Sequence, residues 1–272
     1  MPSVRKSTSP ATRRRAKPRT AETLLTVDVG NSETTVGRFR GDALDGFWRL
    51  TSGRLTADEI ALQLHALLGG PRSGAATAAV ICSVVPALTY PWTEALSRMT
   101  GVPPVEVNAE TANIPIRYHD RTAVGADRLA NAVAVIERYG TPAIVVDLGT
   151  ATTFDCISRE GAYLGGVIAP GLGTSSEELF RRAARIPRVE LRAPSRALGR
   201  TTEESLRAGV IWGHAGQIDA LVRRLALEMK GTPHVIATGG FAGLIAPQCE
   251  TVNRVDEALT LTGMKLIWQH AK

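Results

Sequence analysis

Val27-Asp28-Val29-Gly30-Asn31-Ser32-Glu33-Thr34-Thr35 and Val146-Asp147-Leu148-Gly149-Thr150-Ala151-Thr152-Thr153-Phe154 share one arrangement: apolar, Asp, apolar, Gly, a polar turn, then Thr. Gly30 and Gly149 can take a positive φ and let backbone N–H groups converge on an anion, and Asn31, Ser32, Thr34, Thr150 and Thr152 add neutral donors. Asp28 and Asp147 cannot bind phosphate directly, because like charges repel. They make sense beside a phosphate when a cation such as Mg²⁺ lies between. One such turn is ordinary chain punctuation. Two of them, 119 residues apart and each opening a strand-turn-strand, point to two related domains facing each other.

A second kind of chemistry is available at Val124-Gly125-Ala126-Asp127-Arg128-Leu129-Ala130-Asn131, where an acid and a base adjoin at the start of a helical pattern. Asp127 can accept a proton from a hydroxyl while Arg128 pairs with an anionic group, and Tyr118 is close enough in sequence to line the same pocket. A solvated Arg128 and a helix-capping Asp127 are the plain alternatives. Gly165 to Ser176 reads as a Gly-rich loop ahead of a helix, suited to anions, and Ala237-Thr238-Gly239-Gly240-Phe241-Ala242 as a close-approach point between a strand and a helix. The GxGxxG, GxxxxGK[ST] and HExxH patterns are absent, and the five histidines are scattered.

The elements that must position these groups alternate. Leu24 to Phe39 reads as a hairpin, 56–68 as a capped amphipathic helix, 77–85 as a buried strand stopped by Pro86, 91–100 as a helix and Val105–Val107 as a short strand. The second half repeats the theme: a helix from Asp127 to Tyr139, a strand from Ala143 to Asp147, helices at 175–185, 202–228 and 256–270, and a strand at 234–238. The class is therefore α/β.

Composition narrows the field. Of 272 residues, 44% are hydrophobic and 21% charged, enough apolar material for a core, and no run approaches a membrane-spanning helix. The net charge of +6 is misleading: residues 1–21 hold seven of the 32 Lys and Arg and no acid, so the rest carries 25 bases against 26 acids. That tail, rich in Pro and Ser/Thr, reads as disordered (1–22) and lacks the apolar centre of a secretory signal. Nucleic acid is an unfavoured partner, since only the tail offers it charge. Three scattered cysteines without a CxxC fit a reducing cytoplasm and no zinc site.

Asp28–Thr35, Gly125–Arg128, Asp147–Asp155, Gly165–Gly171 and Thr238–Gly240 together resemble, in order and spacing, the type III pantothenate kinases, over about residues 24–270. That family belongs to the acetate kinase, sugar kinase, heat-shock 70 and actin superfamily. The resemblance implies two duplicated actin-like (ribonuclease H-like) domains, here 23–120 and 121–272, clamping ATP between them. It implies ATP-dependent phosphorylation of the 4′-hydroxyl of pantothenate, the first step toward coenzyme A, in a cytoplasmic homodimer with substrate pockets at the subunit interface. By resemblance, Asp28, Val29, Gly30, Asn31, Ser32, Glu33, Thr34, Thr35 and Thr150 would contact ATP, and Asp147 would hold a monovalent cation, K⁺ or NH₄⁺. Tyr118, Gly125, Ala126, Asp127, Arg128 and Thr202 would bind pantothenate, with Asp127 the proton acceptor. Glu33 departs from the common Asn of the family and adds a negative charge beside the phosphate turn. A regulatory binding protein on the same fold, using the basic arm, is the alternative of a different class.

Overall fold

The computed structural model describes residues 22–69, 76–183 and 185–272; the basic tail falls outside them. It holds two five-stranded sheets. The first has strands β1 (Thr23–Val29), β2 (Glu33–Arg40), β3 (Ala43–Thr51), β4 (Ala78–Ser83) and β5 (Val105–Glu106), in the order β3-β2-β1-β4-β5. The second has β6 (Ala143–Leu148), β7 (Ala151–Ile157), β8 (Tyr163–Pro170), β9 (His234–Thr238) and β10 (Arg254–Val255), in the order β10-β9-β6-β7-β8. In each sheet the central strand runs antiparallel to the hairpin partner on one side and parallel to a crossover strand on the other. The repeated topology is the duplication that the paired motifs imply.

Alternation along the central strands decides which way each aspartate points. Leu25, Val27 and Val29 face an outer core beneath helices α1 (Ala57–Leu67) and α2 (Pro86–Thr100). Leu24 faces the opposite way, into a core shared with helices α3 (Ala126–Tyr139) and α7 (Leu259–His270), and Asp28, four residues on, lies on that same inner side. The second sheet does the same: Ala143 and Val145 face inward, Ile144, Val146 and Leu148 outward, so Asp147 also points inward. The outer face of the second sheet is covered by α4 (Leu172–Arg182), the long α5 (Thr202–Glu228) and the short α6 (Ala242–Ile245).

α3 and α7 are thus the spine between the sheets, and they pack unusually close: a Cβ on Gly263 would stand 1.9 Å from the Ala130 carbonyl oxygen. Although α7 closes the chain, it packs on β1 and β4 of the first sheet as well as on α3. No helix among the described residues is long and apolar enough to cross a membrane.

Three local expectations need correction. Pro86 does not merely stop a strand; it occupies the first turn of α2, where its missing N–H costs nothing, so the helix begins five residues before the expected 91. Gly165 to Pro170 is not a loop but most of β8, paired to β7, because two glycines still leave a ladder of backbone bonds intact. Neither Gly30 nor Gly149 has a positive φ. Gly30 is needed for room instead: a Cβ there would lie 2.8 Å from the Glu33 carbonyl oxygen that its own N–H bonds.

Candidate active site

The two hairpin turns meet across a cleft of about 270 Å³, Thr150 Oγ1 donating to Ser32 Oγ at 2.9 Å. The first turn is braced from β3: Ser52 Oγ donates to the Gly30 carbonyl at 2.7 Å and contacts Thr34 Oγ1 at 2.8 Å. The second turn is braced by α4, whose Thr174 Oγ1 donates to the Thr150 carbonyl at 2.7 Å. Asp28 and Asp147 stand at the C-terminal ends of the central strands, where open α/β sheets offer their ligand crevice.

The third carboxylate comes from the spine. Gly125 caps α3 without a side chain, which leaves space for the Asp127 carboxylate to fold back and accept the Arg128 N–H at 2.8 Å. A Cβ on Gly125 would lie 2.5 Å from Asp127 Oδ1. Asp127 lies in the first turn of α3, where the helix dipole favours its charge.

Asp28, Asp127 and Asp147 share the cleft, and the charge of Asp127 acts on the other two. Burial, then the charges of Asp127 and Asp147, push the Asp28 carboxyl up to about 8, while the thiol of Cys82, its register partner on β4, donates to it. Burial and Asp127 raise Asp147 to about 6. Burial also raises Asp127 above the ordinary carboxylate range, the direction that makes a better proton acceptor. Asn131, buried on α3, donates to Asp147 Oδ2 at 3.1 Å and accepts from Thr260 Oγ1 at 2.8 Å, so both spine helices orient Asp147. Gly239 closes the wall at φ +89°, with room for its Asp147 neighbour only because it lacks a Cβ.

A model of the family described as type III pantothenate kinase matches residues 24–224. The type III pantothenate kinase of Moorella thermoacetica is 45% identical over 250 residues, spanning 90% of this chain and 98% of its own length. That of Streptomyces avermitilis is 42% identical over 259 residues, with 90% and 97% covered. The chain belongs to the type III pantothenate kinase family. Among solved structures, a conserved putative Baf family transcriptional activator from Campylobacter jejuni superposes with a TM-score of 0.59 at 22% identity, covering 91% of this chain and 98% of that one. The ethanolamine utilization protein EutJ from Carboxydothermus hydrogenoformans gives 0.53 at 16%, with 92% of each chain covered. These two share the fold.

Of the residues singled out in this pantothenate kinase sequence, the cleft is lined by Asp28, Gly30, Asn31, Glu33, Thr35, Thr150, Asp127 and Asp147. Val29 and Thr34 are buried on the other face of their strands, as the period of two requires, and Ser32 faces Thr150 instead. Arg128 finds an internal partner: its Nε donates to the fully buried Asp155 at 2.6 Å and its Nη2 to the Phe154 carbonyl at 3.2 Å. Tyr163 O–H donates to the same Asp155 oxygen at 2.9 Å, and Tyr118 meets the Tyr163 ring edge-on at 6.4 Å. Tyr118 therefore joins the Arg128 cluster rather than the nucleotide cleft. Gly125 and Ala126 form the start of α3, and Thr202 is exposed in the first turn of α5, outside the lining of the cleft.

Arg49, Thr153, Thr238, Glu257, Thr260 and Leu261 also line the cleft. Thr153 was readable as the register partner of Asp147, matching Thr35 opposite Asp28. Arg49, Glu257, Thr260 and Leu261 carried no signal, because they reach the cleft only when β3 and α7 dock.

Proposed function

We propose that this protein transfers the γ-phosphoryl group of ATP to the 4′-hydroxyl of pantothenate, the first step of coenzyme A synthesis. The observation that carries the reading beyond family membership is the placement of Asp127: a carboxylate of raised proton affinity in the same cleft as two facing Asp-x-Gly turns. Phosphoryl transfer asks for positioning and charge neutralisation more than for covalent chemistry. The turn at Gly30–Glu33 and the facing turn at Gly149–Ala151 would bracket the phosphates. Asp127 would take the hydroxyl proton as the hydroxyl oxygen bonds to the γ-phosphorus and the bond to the departing ADP breaks. Arg128, with Nε on Asp155 and Nη2 on the Phe154 carbonyl, would offer Nη1 to the carboxylate of pantothenate.

The donor set fits hard cations. Asp127 raises the proton affinity of both Asp28 and Asp147, and Asp147 adds to the rise at Asp28, which is the condition a cation relieves. No three acidic, His or Cys side chains among the described residues form a chelating cage, so Mg²⁺ would arrive with the nucleotide and take one or two carboxylates, Asp28 foremost. Asp147, oriented by Asn131, is the candidate for K⁺ or NH₄⁺. When bound, these ions neutralise the phosphate charge. The exposed Thr202 suits a pocket completed by a second copy, in keeping with a homodimer, and a cytoplasmic enzyme would have both substrates at hand.

ADP release from the purified protein with Mg·ATP tests the reading: it should require pantothenate and be faster in K⁺ than in Na⁺. Asp127→Asn should lower turnover by about 10²–10⁴, the scale of a lost general base. Turnover near wild type in Asp127→Asn would remove the proton-acceptor role.

A further inference from the structure

The cleft has a charge problem that the motifs do not solve. Asp28, Glu33, Asp127, Asp147 and Glu257 line it, and among its lining residues Arg49 is the sole Lys or Arg. A triphosphate must enter this acidic surrounding.

Arg49 is arranged to help. It sits opposite Thr35 in the β2–β3 register, so it shares the inner face with Thr35 and with Glu33, two residues along. Its guanidinium lies 5.7 Å from the Phe47 ring and its Nε is 3.4 Å from Glu33 Oε1, with one-third of the side chain exposed. From the first sheet it reaches the opposite wall: a Cβ on Gly240 would stand 3.8 Å from Arg49 Nη1. A planar fork of five donors suits phosphate oxygens. The contact to Glu33 is long and half in solvent, the sort of ion pair that contributes little and is easily exchanged.

We infer that Arg49 binds the phosphate chain of ATP, and that Glu33 is its placeholder, holding the guanidinium on the cleft face until a phosphate oxygen replaces the carboxylate. Glu33 then competes with the nucleotide for the one basic side chain of the cleft. The inference rests on the kinase reading of the site and adds to it a phosphate ligand from β3 and a built-in competitor from β2.

Calorimetric titration with Mg·ATP, and separately with adenosine, tests it on wild type, Arg49→Ala, Arg49→Lys and Glu33→Gln. Arg49→Ala should weaken Mg·ATP by about tenfold or more and leave adenosine within about twofold, because only the phosphates lose a charge-assisted contact. Arg49→Lys, keeping the charge without the fork, should fall between. Glu33→Gln, at a half-exposed position that tolerates the change, should tighten Mg·ATP severalfold. Unchanged Mg·ATP binding in Arg49→Ala, equal losses for ATP and adenosine, or unaltered affinity in Glu33→Gln would each overturn the inference. A wild-type protein that binds no Mg·ATP would instead refute the kinase reading itself.

Discussion

Asp155→Asn is the substitution from which this structure predicts most. Asp155 is fully buried; one carboxylate oxygen takes both the Arg128 Nε at 2.6 Å and the Tyr163 hydroxyl at 2.9 Å, and the other has no partner among the described residues. Burial pushes the Asp155 carboxyl up to about 7 against the pull of Arg128, so at pH 8 the short contact is an ion pair inside the protein. The Arg128 side chain is only 11% exposed. Asn keeps the shape and an acceptor oxygen but strands the guanidinium, and removing one partner of a buried pair costs about 3–5 kcal/mol. For a chain this size that is a fall of roughly 6–20 °C in melting temperature. Tyr163→Phe, which removes one hydrogen bond to a charged group and leaves the ion pair, should cost about 1.5–3 kcal/mol. Urea denaturation of the three proteins at pH 8 gives the comparison, and pantothenate KM gives a second readout, since a displaced Arg128 should raise it while ATP KM stays put. A loss below about 1 kcal/mol for Asp155→Asn, or no more than that of Tyr163→Phe, would refute a dependence of Arg128 on this carboxylate.

Two further outcomes follow from the same contacts. His214 is buried with Nε2 3.0 Å from Thr152 Oγ1, and burial lowers its affinity for a proton. The unfolded chain therefore binds that proton first, so His214's contribution is complete above about pH 6.5 and is lost as pH falls below it. The urea midpoint of wild type should drop more steeply than that of His214→Asn between pH 7 and 5, and parallel curves would dismiss the effect. Gly263→Ala pits two forces against each other: alanine favours a helix by about 1 kcal/mol, but a Cβ 1.9 Å from the Ala130 carbonyl oxygen forces α3 and α7 apart. Overpacking of this kind costs about 1–3 kcal/mol, so net destabilisation is expected, and a raised urea midpoint would show that the helices can separate freely.

Much of the fold was legible for physical reasons that differ by element. The capped helix α1 announced itself through Thr56 and Asp58 ahead of its apolar spacing, and Thr56 does cap it, in a reciprocal capping box with Glu59. The duplicated hairpins were visible because two turns of the same chemistry began two apolar strands. β3 was not marked out, since an exposed, partly polar strand paired on one edge to β2 has little apolar alternation of its own. Gly165 and Gly166 in β8 carry the residue type of a loop, whereas the backbone bonds that pair this stretch to β7 are a tertiary matter.

The site divides along the same line. Residue types and spacing by themselves determined the two Asp-x-Gly turns, the Gly-Ala-Asp-Arg start of α3 and the alternation that sends Asp28 and Asp147 to one side of their strands, because each depends on neighbours a few residues away. Only the tertiary structure decided that the inner faces of both sheets share α3 and α7, which gathers Asp28, Asp127 and Asp147 into one cleft. It also decided that Arg128 is claimed by Asp155 and that Arg49 and Glu257 reach the cleft. Partners 27 residues apart, as Arg128 and Asp155 are, or farther, meet only when whole elements dock, and no local pattern in the chain records which elements those will be.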